Sequence, residues 1–466
     1  MNRLRTGLTS IGIFFVFLGL LWSLAVDSMV GLAQENCTAI SFADPNLEDA
    51  IRAAINKTAG TLTNCDVENI TFLTASNRNI SDIRGMERLT SLQDLSLSNN
   101  NISDVSPLSS LTALVNLILA DNNISDVAPL GNLTNLQRLL LSDNNINNVA
   151  PLSSLPQLTA LVLSFNNISD LQPLSALNSL EDLSLVSNEI SDLGPLSSLN
   201  LLRSLDLTSN RVSDLAPLAS LDNLQTLLLG SNQIDNIAVL SNLGHLQTLV
   251  LSSNQVSDLV PLSGLTSLIG LNLNANRVVD VAALQGLTLL QTLVLDSNQI
   301  VSIDPLSGLT NLQTLTLNFN DIDNLNAVAG LTKLQRLNVA SNAVADLGPL
   351  RDLVELKFLD LSSNQIVDIS VLANLSNLLS LNLRNNQVSD LSALAQLFNL
   401  RSLDLAFNNI TDITALVVNS ENEGSVGITD GDSIDLTGNP LGAQACEEDI
   451  PILEENGVVV TQDSCS

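Results

Sequence analysis

Leucine and its aliphatic relatives return in a fixed rhythm along most of this chain. One unit reads LTSLQDLSLSNNNISDVSPLSS, from Leu89 to Ser110, and the next reads LTALVNLILADNNISDVAPLGN, from Leu111 to Asn132. Fifteen units of 22 residues follow one another over residues 89–418 without an insertion. Apolar side chains hold positions one, four, seven, nine, fourteen, seventeen and twenty. In the first unit these are Leu89, Leu92, Leu95, Leu97, Ile102, Val105 and Leu108. Leu95 and Leu97 flank Ser96, and alternation over so short a run predicts a strand with one face buried. A fixed period of this length predicts a stacked array. Its strands would lie parallel, about 4.8 Å apart, so fourteen steps give a sheet about 67 Å long.

Two polar positions are as regular as the leucines. Asparagine holds position twelve in every unit: Asn100, Asn122, Asn144, Asn166, Asn188, Asn210, Asn232, Asn254, Asn276, Asn298, Asn320, Asn342, Asn364, Asn386 and Asn408. It follows the strand, where an inward turn would bury backbone groups that must be paired. An amide both donates and accepts, so one side chain can satisfy two neighbouring turns. Aspartate cannot donate and leucine can do neither. The asparagines are therefore expected to form a structural ladder. Position sixteen is always Asp, Asn or Ser, as at Asp104, Asn148 and Ser302, and proline follows three places on in nine units, as at Pro107. These are the residue types that cap a helical N-terminus, so Asp-x-x-Pro-Leu predicts a short 3₁₀ turn on the outer side. Calcium held by a column of these aspartates is the competing reading. Capping accounts better for Asn and Ser at the same place.

Both ends depart from the rhythm. Residues 1–33 place Arg3 and Arg5 before an apolar run from Ile11 to Val26, with Gly31 and Ala33 near its end. This predicts a secretory signal peptide cleaved after Ala33. Left uncleaved, the segment would be a membrane anchor, though its apolar run is short for a span. Residues 34–88 are expected to hold an N-terminal cap and a degenerate first repeat. Asp44 can cap a helix, Pro45 suits its first position, and Leu47, Ile51, Ala54 and Ile55 form an apolar stripe. In the degenerate unit Ile80, Asp82 and Ile83 are in phase, but Arg78 stands where asparagine is expected. Residues 419–466 should hold an irregular last repeat and a C-terminal cap. There SIDLTGNPL restores strand and turn, with Ile434, Leu436 and Asn439 in phase, nine residues later than the period requires. Ile450–Glu455 reads as a short helix, ended by Gly457, and Val458–Val460 as a last strand. The four cysteines fall outside the repeats, as Cys37 with Cys65 and Cys446 with Cys465. An even count flanking an exported array reads as disulfides, each worth about 3 kcal/mol by loop closure. A zinc site would need closer spacing and histidine ligands.

The pattern LxxLxxLxLxxNxIxDVxPL resembles the twenty-two-residue class of leucine-rich repeat, which includes bacterial internalins and a regulatory subunit of a eukaryotic phosphatase. The resemblance covers about three quarters of the chain. It implies an α/β solenoid: a curved parallel sheet, short 3₁₀ or helical turns on the convex side, a helical N-cap and a disulfide-closed C-cap. FADPNLEDAIRAAIN resembles the helical cap of internalins. Unlike anchored internalins, this sequence carries no cell-wall sorting motif, which argues against a surface adhesin. The resemblance says little about a partner, because the repeat residues build the scaffold.

Charge narrows the partner. Without residues 1–33 the chain has 15 Lys and Arg against 47 Asp and Glu, a net of −32. Such a charge repels nucleic acid and anionic membrane. A membrane partner is expected only through an uncleaved N-terminal segment. No catalytic constellation is visible: His245 is the lone histidine, no phosphate loop is present, and no cofactor is called for. Outward strand positions are the sixth, eighth and tenth. At the eighth, Ile118, Leu140 and Val162 come in succession, and Leu228, Val250 and Val294 recur further on. They read either as an apolar contact stripe or as ordinary strand formers. Units twelve to fifteen bring Arg336, Lys357, Phe358, Asp360, Arg384, Arg401 and Asp404 to the same face. Arginine and aromatics favour binding hot spots, so a protein ligand is expected here. Charge pairs such as Arg401 with Asp404 are the alternative. Phe165, Phe319 and Phe407, each just before the asparagine, are expected to pack at the turn. Sequons such as Asn101-Ile-Ser103 and Asn123-Ile-Ser125 arise from the repeat itself. The expected function is a secreted, non-enzymatic module that binds protein through its concave face; a scaffold or spacer is the second reading.

Overall fold

The computed structural model describes residues 37–421 and 427–463. The signal-like segment, part of the inserted loop and Cys465 lie outside these residues. Among the described residues eighteen strands form one sheet, from β1 (Phe72–Thr74) to β18 (Val459–Thr461), and every one of these strands has three residues. Each pairs in parallel with the next in chain order. Seventeen steps of about 4.8 Å give a contour of about 80 Å, longer than the repeats alone predict. The excess comes from β1 in the degenerate unit and from β17 (Ser433–Asp435) and β18 in the C-terminal cap.

The periodic leucines meet in one continuous core, from Ile40 at one cap to Val458 at the other. Between successive units that core is sealed by the asparagines. Asn122 Nδ2 donates to the Leu119 carbonyl of its own unit at 3.1 Å and to the Leu97 carbonyl of the preceding unit at 3.1 Å. Its Oδ1 accepts the Ile102 amide of that preceding unit at 3.0 Å. The same bonds recur to Asn408, and Asn439 continues them across the insertion, accepting the Ile410 amide at 3.1 Å. One residue before each repeat asparagine the backbone is left-handed, from Asn99 (φ 53°) to Phe407 (φ 56°). Asn, Asp and small residues enter that region at lower cost than bulky ones, and they hold most of these places.

On the convex side the first fourteen units carry 3₁₀ turns, as at Ser106–Leu108, and the fifteenth carries an α-helix, Thr414–Ser420. Position sixteen behaves as a cap, one residue earlier than the helical boundary. Asp104 Oδ1 accepts the Ser106 amide at 2.8 Å, Asn148 the Ala150 amide at 2.9 Å, and Ser302 Oγ the Asp304 amide at 3.3 Å. Three residue types making one local bond explain the column without a metal. Among the described residues no group of three or more His, Cys, Asp or Glu is placed to hold a metal ion.

The caps follow the expected chemistry. Helix α1 (Pro45–Ala54) is capped by Asp44, which accepts the Asn46 amide at 2.9 Å and reaches the Ser81 amide at 2.8 Å. Burial alone would raise the Asp44 pKa, but the amides of Ser81, Asn46, Asp82 and Leu47 hold it below the usual carboxylate value. Cys37 and Cys65 form a disulfide. A short helix, α2 (Asn64–Val67), sits beside it; the sequence reading did not foresee it. Asp66 there is lowered to about 2 by the Lys57 ammonium, the Thr63 hydroxyl and the Thr63 amide. The expected Cys446–Cys465 pair involves a residue outside those described. At the C-terminus, the last turn of α3 (Thr414–Ser420) carries Asn419, whose side chain is fully buried. Its Oδ1 accepts the Ile428 amide at 2.9 Å and its Nδ2 donates to the Leu394 carbonyl at 2.9 Å. Both described margins of the insertion are thereby tied to the core. Helix α4 (Ile450–Glu455) and β18 then close the array.

Asn254→Ala should cost about 1–3 kcal/mol, because it strands the Ile234 amide and leaves the Leu229 carbonyl with only the Asn232 amide as a side-chain donor. Thermal unfolding checks this, and unchanged stability would contradict it.

Candidate ligand-binding face

The sheet presents positions six, eight and ten of each unit on its outer surface. Ile118, Leu140 and Val162 end strands β3 (Asn116–Ile118), β4 (Arg138–Leu140) and β5 (Ala160–Val162), and are register partners in one line. All three are half-buried, as are Leu228, Val250 and Val294 further along. Beyond Val162 the line is broken by Ser184 of β6 (Asp182–Ser184).

At the C-terminal end the expected cationic cluster is assembled but largely self-satisfied. Arg336 of β13 (Arg336–Asn338) lies over the Phe358 ring of β14 (Phe358–Asp360), 4.2 Å from its centroid. Lys357 precedes β14 and is half-buried. Asp360 Oδ1 accepts the Ser362 amide at 3.0 Å and its hydroxyl at 2.7 Å. The Arg384 guanidinium lies 3.8 Å from Asp404 and 3.5 Å from Asp435, with its face 4.6 Å from the Phe407 ring. Arg401 does not pair with Asp404 as the spacing suggested. It sits 3.5 Å from Asp432 and donates to the Gly427 carbonyl at 2.7 Å and the Leu400 carbonyl at 2.8 Å. Arg401 therefore pins the inserted segment. Gly427 has φ 139°, and a Cβ there would fall 2.2 Å from the Asn419 carbonyl oxygen, so no other residue fits that contact.

Asp435 and Asp432 were not anticipated as site residues. Asp432 closes the inserted stretch and Asp435 lies past it, although Asn439 in phase already implies that Asp435 takes the eighth position beside Asp404. A polar column results: Asn338, Asp360, Asn382, Asp404 and Asp435 on adjoining strands. Burial raises the Asp404 pKa, and the nearby carboxylates of Asp435 and Asp360 raise it further against the Ala406 amide and Arg384.

The expectation that three phenylalanines pack at the turn does not hold. Phe165 is 52% exposed, Phe319 62% and Phe407 46%. The left-handed backbone at this position turns the ring outward instead of into the core. Phe407 lies under Arg384 and across Gly438, whose Cβ would lie 2.5 Å from the ring. His245 stands apart from the face, its Nδ1 2.8 Å from the Asp222 carbonyl.

The profile of the leucine-rich repeat region matches residues 179–424, and that of paired leucine-rich repeats matches residues 90–132, 134–176 and 156–198. The chain belongs to the leucine-rich repeat family. It is similar to the solved internalin InlF of Listeria monocytogenes, with 36% identity and a TM-score of 0.68 over 69% of this chain and 96% of that one. A leucine-rich repeat protein of Leptospira interrogans matches at 25% identity and a TM-score of 0.67, over 85% of this chain and 97% of that one. The plant peptide hormone receptor RGFR1, solved in complex with RGF2, shares the fold at 22% identity and a TM-score of 0.64, over 82% and 70% of the two chains. No curated protein matches the chain. The protein is thus an internalin-like repeat solenoid, and folds of this family are typically non-catalytic interaction scaffolds. Among the described residues no helix is long and apolar enough to cross a membrane.

Asp404 sets a pH dependence on this face. Its folded-state pKa is raised, so its protonation favours the fold, and its charged form costs stability above that value. Asp404→Asn should raise the melting temperature at pH 7 and have a smaller effect at acid pH. A lowered melting temperature at pH 7 would contradict this.

Proposed function

We propose that this solenoid is an exported, non-catalytic module that binds a protein ligand on its concave face. One observation carries the reading. Position seven is leucine in all fifteen units, while the outward neighbour at position eight ranges over Ser, Ile, Leu, Val, Asp, Asn and Thr. A backbone held in one geometry thus displays side chains that differ from unit to unit on a single surface, with an unbroken apolar run at Ile118, Leu140 and Val162. Repeat arrays use such extended surfaces for binding. The complex of the same-fold plant receptor with RGF2 is compatible with a peptide or protein ligand. Support for export comes from the signal-like composition of residues 1–33 and from the Cys37–Cys65 disulfide, which suits an oxidising compartment.

Two glycines make the test clean. A Cβ at Gly270, on the concave sheet, or at Gly244, outside the strands, meets nothing within 4 Å. The double variant Ala160→Trp with Gly270→Trp, which obstructs the face at β5 as well as further along the sheet, should abolish capture of a bound protein from the surroundings of the exported chain, while Gly244→Trp should leave it intact. Equal capture by both variants would overturn the concave-face reading, and a recovered chain that still begins at Met1 would overturn export by cleavage.

A further inference from the structure

We infer that the concave face over β3–β6 is a docking surface for a basic amphipathic helix of the partner protein, an inference that rests on the concave-face reading above. The stripe Ile118–Leu140–Val162 is continuous across three register-paired strands. Val186 extends it diagonally; its carbonyl accepts the Phe165 amide at 2.7 Å. Phe165 then stands at the edge, half in solvent, with φ 56°. A bulky residue in the left-handed region is a strained choice where twelve of the fifteen units use Asn, Asp, Ser or Ala. Phe407 in the same place is accounted for by Arg384 and Gly438. Among the described residues no guanidinium lies over Phe165 as Arg384 lies over Phe407, and its position beside the stripe enlarges one apolar patch.

The backbone cannot supply the binding. Strands β3–β6 are hydrogen-bonded on both sides, so an added strand has no edge to join. The ligand must engage through side chains. Stripe residues recur about every 4.8 Å across the strands, close to the rise of about 5.4 Å per helical turn. A helix lying across the strands can therefore set an i, i+3, i+7 row on the stripe.

Charge fixes the flanks of that helix. Asp121, Asp143 and Asp182 are exposed around the patch, and Asp206 lies half-buried beyond Ser184 in the same column. Arg138 is the one cation on the outward positions of β3–β6. An apolar centre with an acidic rim complements a leucine-rich helix flanked by lysine or arginine. The same rim disfavours an anionic lipid surface.

The probe is a fluorescent helical peptide of leucine and lysine, compared with its leucine–glutamate counterpart, titrated against the full chain by anisotropy. The lysine peptide should bind, and more weakly as salt is raised. Leu140→Lys should weaken it at least about tenfold, as should the exposed double variant Asp143→Lys with Asp182→Lys, which leaves the apolar stripe untouched. Circular dichroism confirms that both variants are folded. Preference for the glutamate peptide, unchanged binding by both variants, or binding to anionic vesicles in preference to peptide overturns the inference. If neither peptide binds while the Ala160→Trp and Gly270→Trp double variant still abolishes partner capture, the helix class is wrong and the concave-face reading stands.

Discussion

Each turn of the solenoid points backbone amides and carbonyls inward, beyond the reach of water, and one amide side chain per unit must satisfy them. An unpaired buried backbone group costs about as much as a lost hydrogen bond, and fifteen or more such turns would accumulate an unsustainable deficit. The asparagine side chain meets the constraint because it donates and accepts at once. Its Nδ2 binds carbonyls in two successive units and its Oδ1 takes the amide of the earlier one, as Asn254 does with Leu251, Leu229 and Ile234. That bridge keeps the strands in strict twenty-two-residue register from β1 to β16 (Ser402–Asp404). Where the register is broken, at the insertion before β17, another asparagine does the same work: Asn439 resumes the bridge and Asn419 ties down the margins of the loop.

The scaffold was legible because its chemistry is local and repeated. A leucine at position seven and an asparagine at position twelve each answer one fixed environment, so the residue type reveals the environment. The caps were legible in outline for the same reason: Asp44 before Pro45 is a capping signal whatever it packs against. The functional face was legible only by column. Phase placed Ile118, Leu140 and Val162 side by side, and the register confirms them. Phase could not tell which cation meets which carboxylate. Arg401 turned to Asp432 and Gly427, and Arg384 took Asp404, because the inserted segment brings new acceptors within reach. The phenylalanines misled for a backbone reason. A left-handed residue directs its side chain away from the core, so apolar character at that position no longer implies burial.

The two ends of the concave face are therefore different surfaces. Toward the C-terminal cap, charges are matched internally and guanidinium faces are stacked on rings, an arrangement that stiffens the sheet beside the irregular cap. Toward the N-terminal end the eighth-position residues Ile118, Leu140 and Val162 are aliphatic and adjoin an exposed aromatic, Phe165. The overall acidity of the chain sets the sign of what can approach that apolar zone. Solubility and selectivity follow from the same carboxylates.

The most direct test of this account is hydrogen exchange at the amides that lie outside every strand yet donate to the ladder, such as Ile234 to Asn254 and Val256 to Asn276. If the asparagines hold the array together, these amides exchange as slowly as amides bonded backbone to backbone between units, such as Leu229 to the Val250 carbonyl. Exchange at the rate of exposed turn amides would show that the ladder is incidental and would contradict the account.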